Sequence, residues 1–200
     1  MLVTEVMEAR IDRLTELANI GAGHAAGAFS RMTGHTIKMD VPQVRLTTMM
    51  SDAVTALGQP SARGRVTTDQ GGWVSGVIFE FDGCLDAIVA ILFRREMSDS
   101  VVRNLTGQSE GYLPPEVVES ALMEVGNVLA SHVASAIADS LGARLLPSIP
   151  MLSLDAALEQ LESLARARPR AGELWIESEL IDGDGNLGGL VIMIPDCETL

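Results

Sequence analysis

A pattern of polar residues followed by a proline occurs twice in this chain, and the second copy lies 108 positions after the first. The first copy consists of Asp12, Glu16, Asn19 and Pro42, and the second consists of Ser120, Glu124, Asn127 and Pro150. The same offset pairs Leu14 with Leu122, His24 with His132, Gly34 with Gly142 and Val41 with Ile149. Agreement of this extent without a gap indicates internal duplication of one structural unit.

The spacing inside each copy is that of one helix face. Glu follows Asp or Ser by four positions, and Asn follows Glu by three, so the three side chains form one stripe on a helix. The opposite face is apolar, which indicates an amphipathic helix with its apolar side in the core. The polar stripe is therefore expected to face water or a partner. Small residues just after Asn19 (Gly21, Ala22 and Gly23) are expected to let the backbone of a partner come close.

Turn signals and periodicity predict the remaining elements. Two long helices are expected, from about Thr4 to Met32 and from Pro115 to about Leu141. The other predicted elements are a strand at 36–46, a loop at 52–70, a hairpin at 73–81 and 85–93, a helix at 94–105, a strand at 144–149, a helix at 153–167 and a hairpin at 175–181 and 187–194.

A long helix followed by three strands in each half predicts an α+β fold. It has pseudo-two-fold symmetry and about six mostly antiparallel strands, flanked by the two long helices. Residues 1–200 are expected to form a single domain, with repeat halves at about 4–107 and 112–195. Each half should place its tryptophan, Trp73 or Trp175, at the start of the central hairpin strand.

The doubled pattern resembles the motif of the CheC/CheX/FliY family of chemotaxis phosphatases. Each copy reads Asp or Ser, three residues, Glu, two residues, Asn, twenty-two residues, Pro. The resemblance covers most of the chain, including the runs at 19–23 and 147–150. Two intact motifs are most similar to CheC, because CheX-like members would be expected to keep one. His24 departs from the pattern, since relatives often have a second Asn there.

The resemblance implies a phosphatase that acts on the aspartyl phosphate of a CheY-type response regulator. It implies that Asn orients the attacking water, that Glu pairs with a lysine of the regulator, and that the regulator's own carboxylates hold Mg²⁺. The chain then needs no cofactor of its own. The implied catalytic residues are Glu16, Asn19, Glu124 and Asn127, and the supporting residues are Asp12, Ser120, Pro42 and Pro150.

Asparagine suits this role because it carries both a donor and an acceptor and does not ionise near neutral pH. It can position a water in line with the leaving oxygen, which contributes much of what a protein adds to phosphoryl transfer. The alternative is a non-catalytic binding module or adaptor for phosphorylated CheY, the flagellar switch or the receptor deamidase CheD. Both Glu and Asn are present in both halves, which favours the enzyme.

The net charge of −13 argues against nucleic acid and anionic membrane surfaces as partners, and favours a basic partner surface. The two cysteines, Cys84 and Cys197, lack metal-ligand spacing and predict a reduced cytoplasmic protein. We find no apolar run near the roughly 20 residues that span a bilayer, and no signal peptide. A monomer without membrane contact is expected.

Two other motif matches and one pair of histidines are not predicted to bind a ligand, because the surrounding sequence lacks what such a site needs. Residues 21–26 satisfy the dinucleotide pattern G-x-G-x-x-A, but the required strand before them is not predicted. Residues 182–186 imitate the start of a calcium loop, but Leu187 stands where Gly is needed, so a hairpin turn is predicted. His24 and His132 are predicted to pack between helices, because no third metal ligand recurs with them.

Overall fold

The computed structural model describes residues 2–46, 75–168, 174–181, 183 and 187–196. Within this part the chain forms four helices and eight strands. The helices are α1 (Leu2–Thr33), α2 (Arg95–Thr106), α3 (Pro115–Leu141) and α4 (Ala157–Ala167). The strands are β1 (Lys38–Met39), β2 (Gln43–Leu46), β3 (Ser75–Gly83), β4 (Ala87–Phe93), β5 (Leu145–Pro147), β6 (Met151–Ser153), β7 (Leu174–Ile181) and β8 (Leu187–Pro195).

All eight strands belong to one antiparallel sheet in the order β1, β7, β8, β4, β3, β5, with β2 also on β7 and β6 also on β3. The predicted α+β class is therefore confirmed. The strand count differs from the predicted six because each outer strand is broken into two pieces. The breaks fall at residues 40–42 and 148–150, and each contains one of the two motif prolines.

Each break is a bulge with the same register. Met39 opposes Leu180 and Gln43 opposes Glu177, so three residues of the outer strand face two residues of β7. In the other half, Pro147 opposes Phe81 and Met151 opposes Ile78, which again sets three residues against two. Proline has no N–H for the ladder, and an extra residue bends the strand locally.

Each outer strand pairs with a hairpin strand from the other half of the sequence. The strand pair β1 and β2 follows α1 but pairs with β7, whereas β5 and β6 follow α3 but pair with β3. The centre of the sheet is the β4–β8 pair. A duplicated unit would produce this order, and the duplication and the single-domain organisation stay predictions.

Helices cover both faces of the sheet. The larger core lies between the sheet and the helices α1 and α3, and the smaller core lies under α4. Strand β4 is buried along its whole length, as predicted, because Val89 and Ile91 face the larger core while Ile88 and Ala90 face the smaller one.

Helix ends fall close to the predicted positions. Gly34, Gly107 and Gly142 have φ of 69°, 69° and 62°, the left-handed conformation that ends helices at glycine. Pro115 is the first residue of α3. Helix α4 begins at Ala157 and not near Ser153, because Ser153 belongs to β6. The predicted loop at 52–70, Trp73 and most of the calcium-like segment at 182–187 lie outside the described residues.

The long helices α1 and α3 pack against each other. A Cβ on Gly21 would lie 2.9 Å from Val133 Cγ1, so glycine is what lets α3 come this close. Gly21 and Ala22 are buried, and Gly23 alone of the three small residues is exposed. The expectation that this run receives a partner's backbone is therefore wrong for Gly21 and Ala22.

Helix α3 is also long and apolar enough to cross a membrane by length and composition. The sequence analysis expected no such run. Half of its most apolar stretch is buried inside the protein.

Candidate functional site

The polar stripe of α1 is exposed, as its spacing predicts. Asp12, Glu16 and Asn19 all face solvent, whereas Leu14 and Leu17 between them are buried in the larger core. The Glu and Asn side chains therefore lie one turn apart on an accessible surface of the helix.

Helix α3 repeats this arrangement. Ser120, Glu124 and Asn127 are exposed, whereas Leu122 and Val125 are buried. The turn that carries the stripe lies directly on the sheet, because a Cβ on Gly126 would come within 2.3 Å of Val77 Cγ1. This close packing fixes the height of the second stripe above β3.

The two glutamates differ in their local partners. Arg13 Nη1 donates a hydrogen bond of 3.0 Å to Glu16 Oε2, and both side chains are largely exposed. The 108-residue shift places Ala121 where Arg13 stands in the first copy. Among the described residues, Glu124 has no ion-pair or hydrogen-bond partner. The second carboxylate is therefore the freer of the two.

The asparagine amides are available for binding. Neither Asn19 nor Asn127 has a side-chain hydrogen-bond partner in the part of the chain that the structure describes. Ser131 Oγ donates a hydrogen bond of 2.8 Å to the backbone carbonyl of Asn127, and this bond does not involve the side-chain amide. An exposed, unpartnered amide can donate to one group and accept from another at once.

The stripe on α1 faces the side of the helix along which the chain returns. Ser30 follows Asn19 by eleven residues, about three turns, so the two side chains point in nearly the same direction. Ser30 Oγ accepts a hydrogen bond of 2.9 Å from the N–H of Ile37, which precedes β1. The outer strand therefore starts near the C-terminal end of the helix face that carries Asn19, and β1 and β2 both contact α1.

The motif prolines are buried next to these stripes. Pro42 and Pro150 are both buried inside the bulges, so their place is structural and a partner cannot touch them directly. The residues directly before the prolines are exposed: Val41 is 68% exposed and Ile149 is 85% exposed. The sequence analysis did not select these two, although the 108-residue register that pairs them was the signal for it.

Comparison with known proteins bears on both copies of the motif. A model of the CheC-like family matches residues 11–45 and 117–153, which contain both stripes and both prolines. The resemblance to the CheC-like family is confirmed. The matched segments are the two long helices and the bulged outer strands after them.

Relatives agree with this result. The chain is 29% identical over 154 residues to the CheY-P phosphatase CheC of Bacillus subtilis (strain 168). The aligned region covers 75% of this chain and 68% of the relative. The crystal structure of Thermotoga maritima FliY has a TM-score of 0.65 at 19% identity, covering 94% of this chain and 90% of that one. The CheX–CheY–BeF3–Mg²⁺ complex from Borrelia burgdorferi matches with a TM-score of 0.58 at 14% identity, covering 91% and 99%. These two structures show that the fold is shared.

The histidines of this chain are not placed alike. His24 is exposed, so the prediction that it packs between helices is wrong. His132 is half-buried, with Nδ1 2.8 Å from the carbonyl oxygen of Val128 and Nε2 3.2 Å from Arg31 Nη2. Its contacts link α3 to α1.

The dinucleotide-like run lies within α1. Residues 21–26 are helical and follow helix, not strand, so the context of a dinucleotide site is missing. Within the described ranges, no three His, Cys, Asp or Glu side chains are grouped as metal ligands.

Proposed function

We propose that this chain is a phosphatase that hydrolyses the aspartyl phosphate of a CheY-type response regulator. One observation carries the proposal: a Glu and an unpartnered Asn amide lie one turn apart on an exposed helix face, and the arrangement occurs on both long helices. The similarity to a relative named CheY-P phosphatase supports the same substrate class.

In the proposed reaction, Asn19 or Asn127 enters the regulator's active site and holds a water by its amide. The water oxygen attacks phosphorus, the bond from phosphorus to the aspartyl oxygen breaks, and inorganic phosphate and a free carboxylate are released. Because the amide is neutral and does not take the proton, its contribution is alignment of the water with the leaving oxygen. Alignment matters here because the transition state of phosphoryl transfer is loose and has little covalent chemistry for a protein to assist.

Glu16 and Glu124 are proposed to grip the regulator. Each lies one turn before its Asn, so a lysine of the regulator that pairs with the Glu would bring the phosphoryl group to the Asn. The net charge of −13 favours association with a basic surface of this kind. The Mg²⁺ of the reaction is proposed to be held by the regulator's carboxylates.

The proposal also includes the location of the chain, its oligomeric state and a second partner. We propose that the chain acts as a cytoplasmic monomer, where a soluble regulator would meet it, and that CheD is a candidate second partner. Size-exclusion chromatography with light scattering tests the monomer, and a mass near twice that of one chain would contradict it.

The decisive experiment is the lifetime of the regulator's phosphoryl group with and without this protein. The wild type should shorten it. The pairs Glu16→Ala with Asn19→Ala and Glu124→Ala with Asn127→Ala should each reduce the effect in part, and the quadruple variant should be close to inactive. Ser163→Ala, at an exposed position of α4 on the other face of the sheet, is the control and should behave as wild type.

The outcomes separate the two functions. If the quadruple variant works as fast as wild type, the catalytic assignment is wrong. If wild type binds the phosphorylated regulator without shortening the lifetime, the chain is a binding module or adaptor and not an enzyme.

A further inference from the structure

Two large apolar side chains stand in solvent beside the proposed sites. Val41 is 68% exposed and Ile149 is 85% exposed, and each directly precedes the buried proline of its motif. Single exposed apolar residues are ordinary on protein surfaces. This pair differs because the same 108-residue shift that relates the stripes also relates these two residues.

The bulges hold both side chains outward. The residue before each one is bonded to the neighbouring strand: the N–H of Asp40 donates to the Glu179 carbonyl at 3.0 Å, and the N–H of Ser148 donates to the Glu80 carbonyl at 2.8 Å. Ser148 Oγ also accepts from the N–H of Glu80 at 3.0 Å. With that bond on one side and a buried proline on the other, the extra residue of the bulge is turned away from the sheet. Bulges beside active sites commonly re-aim a side chain in this way.

The path of the chain brings these residues back toward the asparagines. Asn19 precedes the helix-ending Gly34 by 15 residues, and Val41 follows it by seven. The N–H of Ile37 bonds Ser30 Oγ, and β1 and β2 both contact α1. From Ser30 the helical path back to Asn19 covers about 16 Å, and from Ile37 the extended path to Val41 covers about 13 Å. The same two spacings separate Asn127 and Ile149 from Gly142.

Affinity at the proposed sites needs an apolar contribution. The stripes offer only exposed polar groups, and exposed ion pairs contribute little to binding because water and salt screen them. Stable contacts between proteins instead rely on a few apolar side chains that are buried at the centre of the interface. Val41 and Ile149 supply such a side chain at each site.

We propose that Val41 and Ile149 are the docking residues of the two sites, each burying its side chain against an apolar patch of the phosphorylated regulator beside the phosphorylation site. This inference rests on the proposed function. The bulge residue adds an apolar contribution to the affinity that the Glu supplies, and alignment of the water stays with Asn19 and Asn127.

The test is the dependence of dephosphorylation on regulator concentration. The double variant Val41→Ser with Ile149→Ser should raise KM about fivefold or more and leave kcat unchanged, because the water-aligning amides remain. Val41→Leu with Ile149→Leu should keep the wild-type KM. Tyr112→Ser removes an 80% exposed side chain outside both motifs and is the control for loss of surface apolar area.

Each site can be tested alone. In the Asn127→Ala background, where only the first site works, Val41→Ser should raise KM and Ile149→Ser should not. The melting temperature should stay at the wild-type value, since both side chains are exposed.

The results distinguish failure of the inference from failure of the function. If wild type does not shorten the phosphoryl lifetime, the proposed function fails. If wild type is active and the serine double variant has the KM of wild type and of Tyr112→Ser, the docking assignment alone is overturned. A fall in kcat at unchanged KM would overturn it as well.

Discussion

Arg13 donates a hydrogen bond of 3.0 Å to Glu16 on the exposed face of α1, whereas Ala121 stands at the matching place on α3. The carboxylate of Glu16 must leave this pair, or share it, to reach a cation of a partner. Glu124 has no such partner in the part of the chain that the structure describes. Two sites with the same motif are therefore electrostatically unequal, and the positive charge of Arg13 also opposes a basic surface near the first site.

Removing Arg13 should strengthen the first site. In an Asn127→Ala background, Arg13→Ala should lower KM about twofold, since exposed ion pairs of this spacing are weak. The reciprocal change, Ala121→Arg in an Asn19→Ala background, should raise KM at the second site by a similar factor. Unchanged KM in both variants would show that the Arg13 pair has no influence on engagement.

Glu and Asn substitutions should differ in kind. With Glu16 and Asn19 both replaced by Ala, Glu124→Ala should mainly raise KM and Asn127→Ala should mainly lower kcat. The reason is that the Glu grips the partner before and during reaction, whereas the Asn acts on the water in the transition state. Steady-state dephosphorylation over a range of regulator concentrations measures both, and equal effects on the same parameter would contradict the division of roles.

Replacing either of two helical glycines with alanine should change the free energy of unfolding, in opposite directions for the two positions. Gly126→Ala should lower the free energy of unfolding by about 1–3 kcal/mol, because the added Cβ would lie 2.3 Å from Val77 Cγ1. Gly23→Ala should raise it by about 0.5–1 kcal/mol, because this helical position is exposed and has nothing within 4 Å of the new Cβ. Urea denaturation monitored by circular dichroism measures both, and a stable Gly126→Ala variant would refute the close contact of α3 with β3.

Ser30 should matter for stability more than another helical serine does. Ser30→Ala leaves the N–H of Ile37 without the acceptor it has at 2.9 Å, and should cost about 1–2 kcal/mol. Ser131→Ala removes only a hydroxyl bonded to the carbonyl four residues earlier on an exposed face, and should change stability by less than about 0.5 kcal/mol. Equal effects in thermal or urea unfolding would show that the Ser30 bond does not hold the chain reversal.

The chain is expected to hold no metal or nucleotide of its own. Elemental analysis and absorbance at 260 nm of the purified protein should show neither in stoichiometric amount. A chelator should leave its melting temperature unchanged, although it should stop dephosphorylation by removing the regulator's Mg²⁺. One tightly bound metal per chain, or a lowered melting temperature with chelator, would contradict this expectation.

Local patterns predicted most of the elements because their causes are local. The amphipathic spacing around Leu14 and Leu122 and the terminal Gly34 and Gly142 place the long helices within about two residues of their observed ends. The hairpin of β3 and β4 followed from two apolar-rich runs with Asp82 and Gly83 between them, but these two residues extend β3 to pair with β5, and the turn lies at 84–86. Several of the errors concern contacts between elements: the burial of Gly21 under α3, the exposure of His24 and the breaks in the outer strands.

The sequence by itself determined the doubled motif, the exposed stripes with Glu16, Asn19, Glu124 and Asn127, and the α+β class, because spacing and hydrophobic periodicity depend on the residues of one segment. Only the tertiary structure decided that each outer strand pairs with the hairpin of the other half, and that a bulge turns Val41 and Ile149 into solvent while it buries Pro42 and Pro150. Pairing of the outer strands depends on partners more than 60 positions away, as in the pairing of Gln43 with Glu177 and of Phe81 with Pro147, and no local pattern specifies which partner a strand will find.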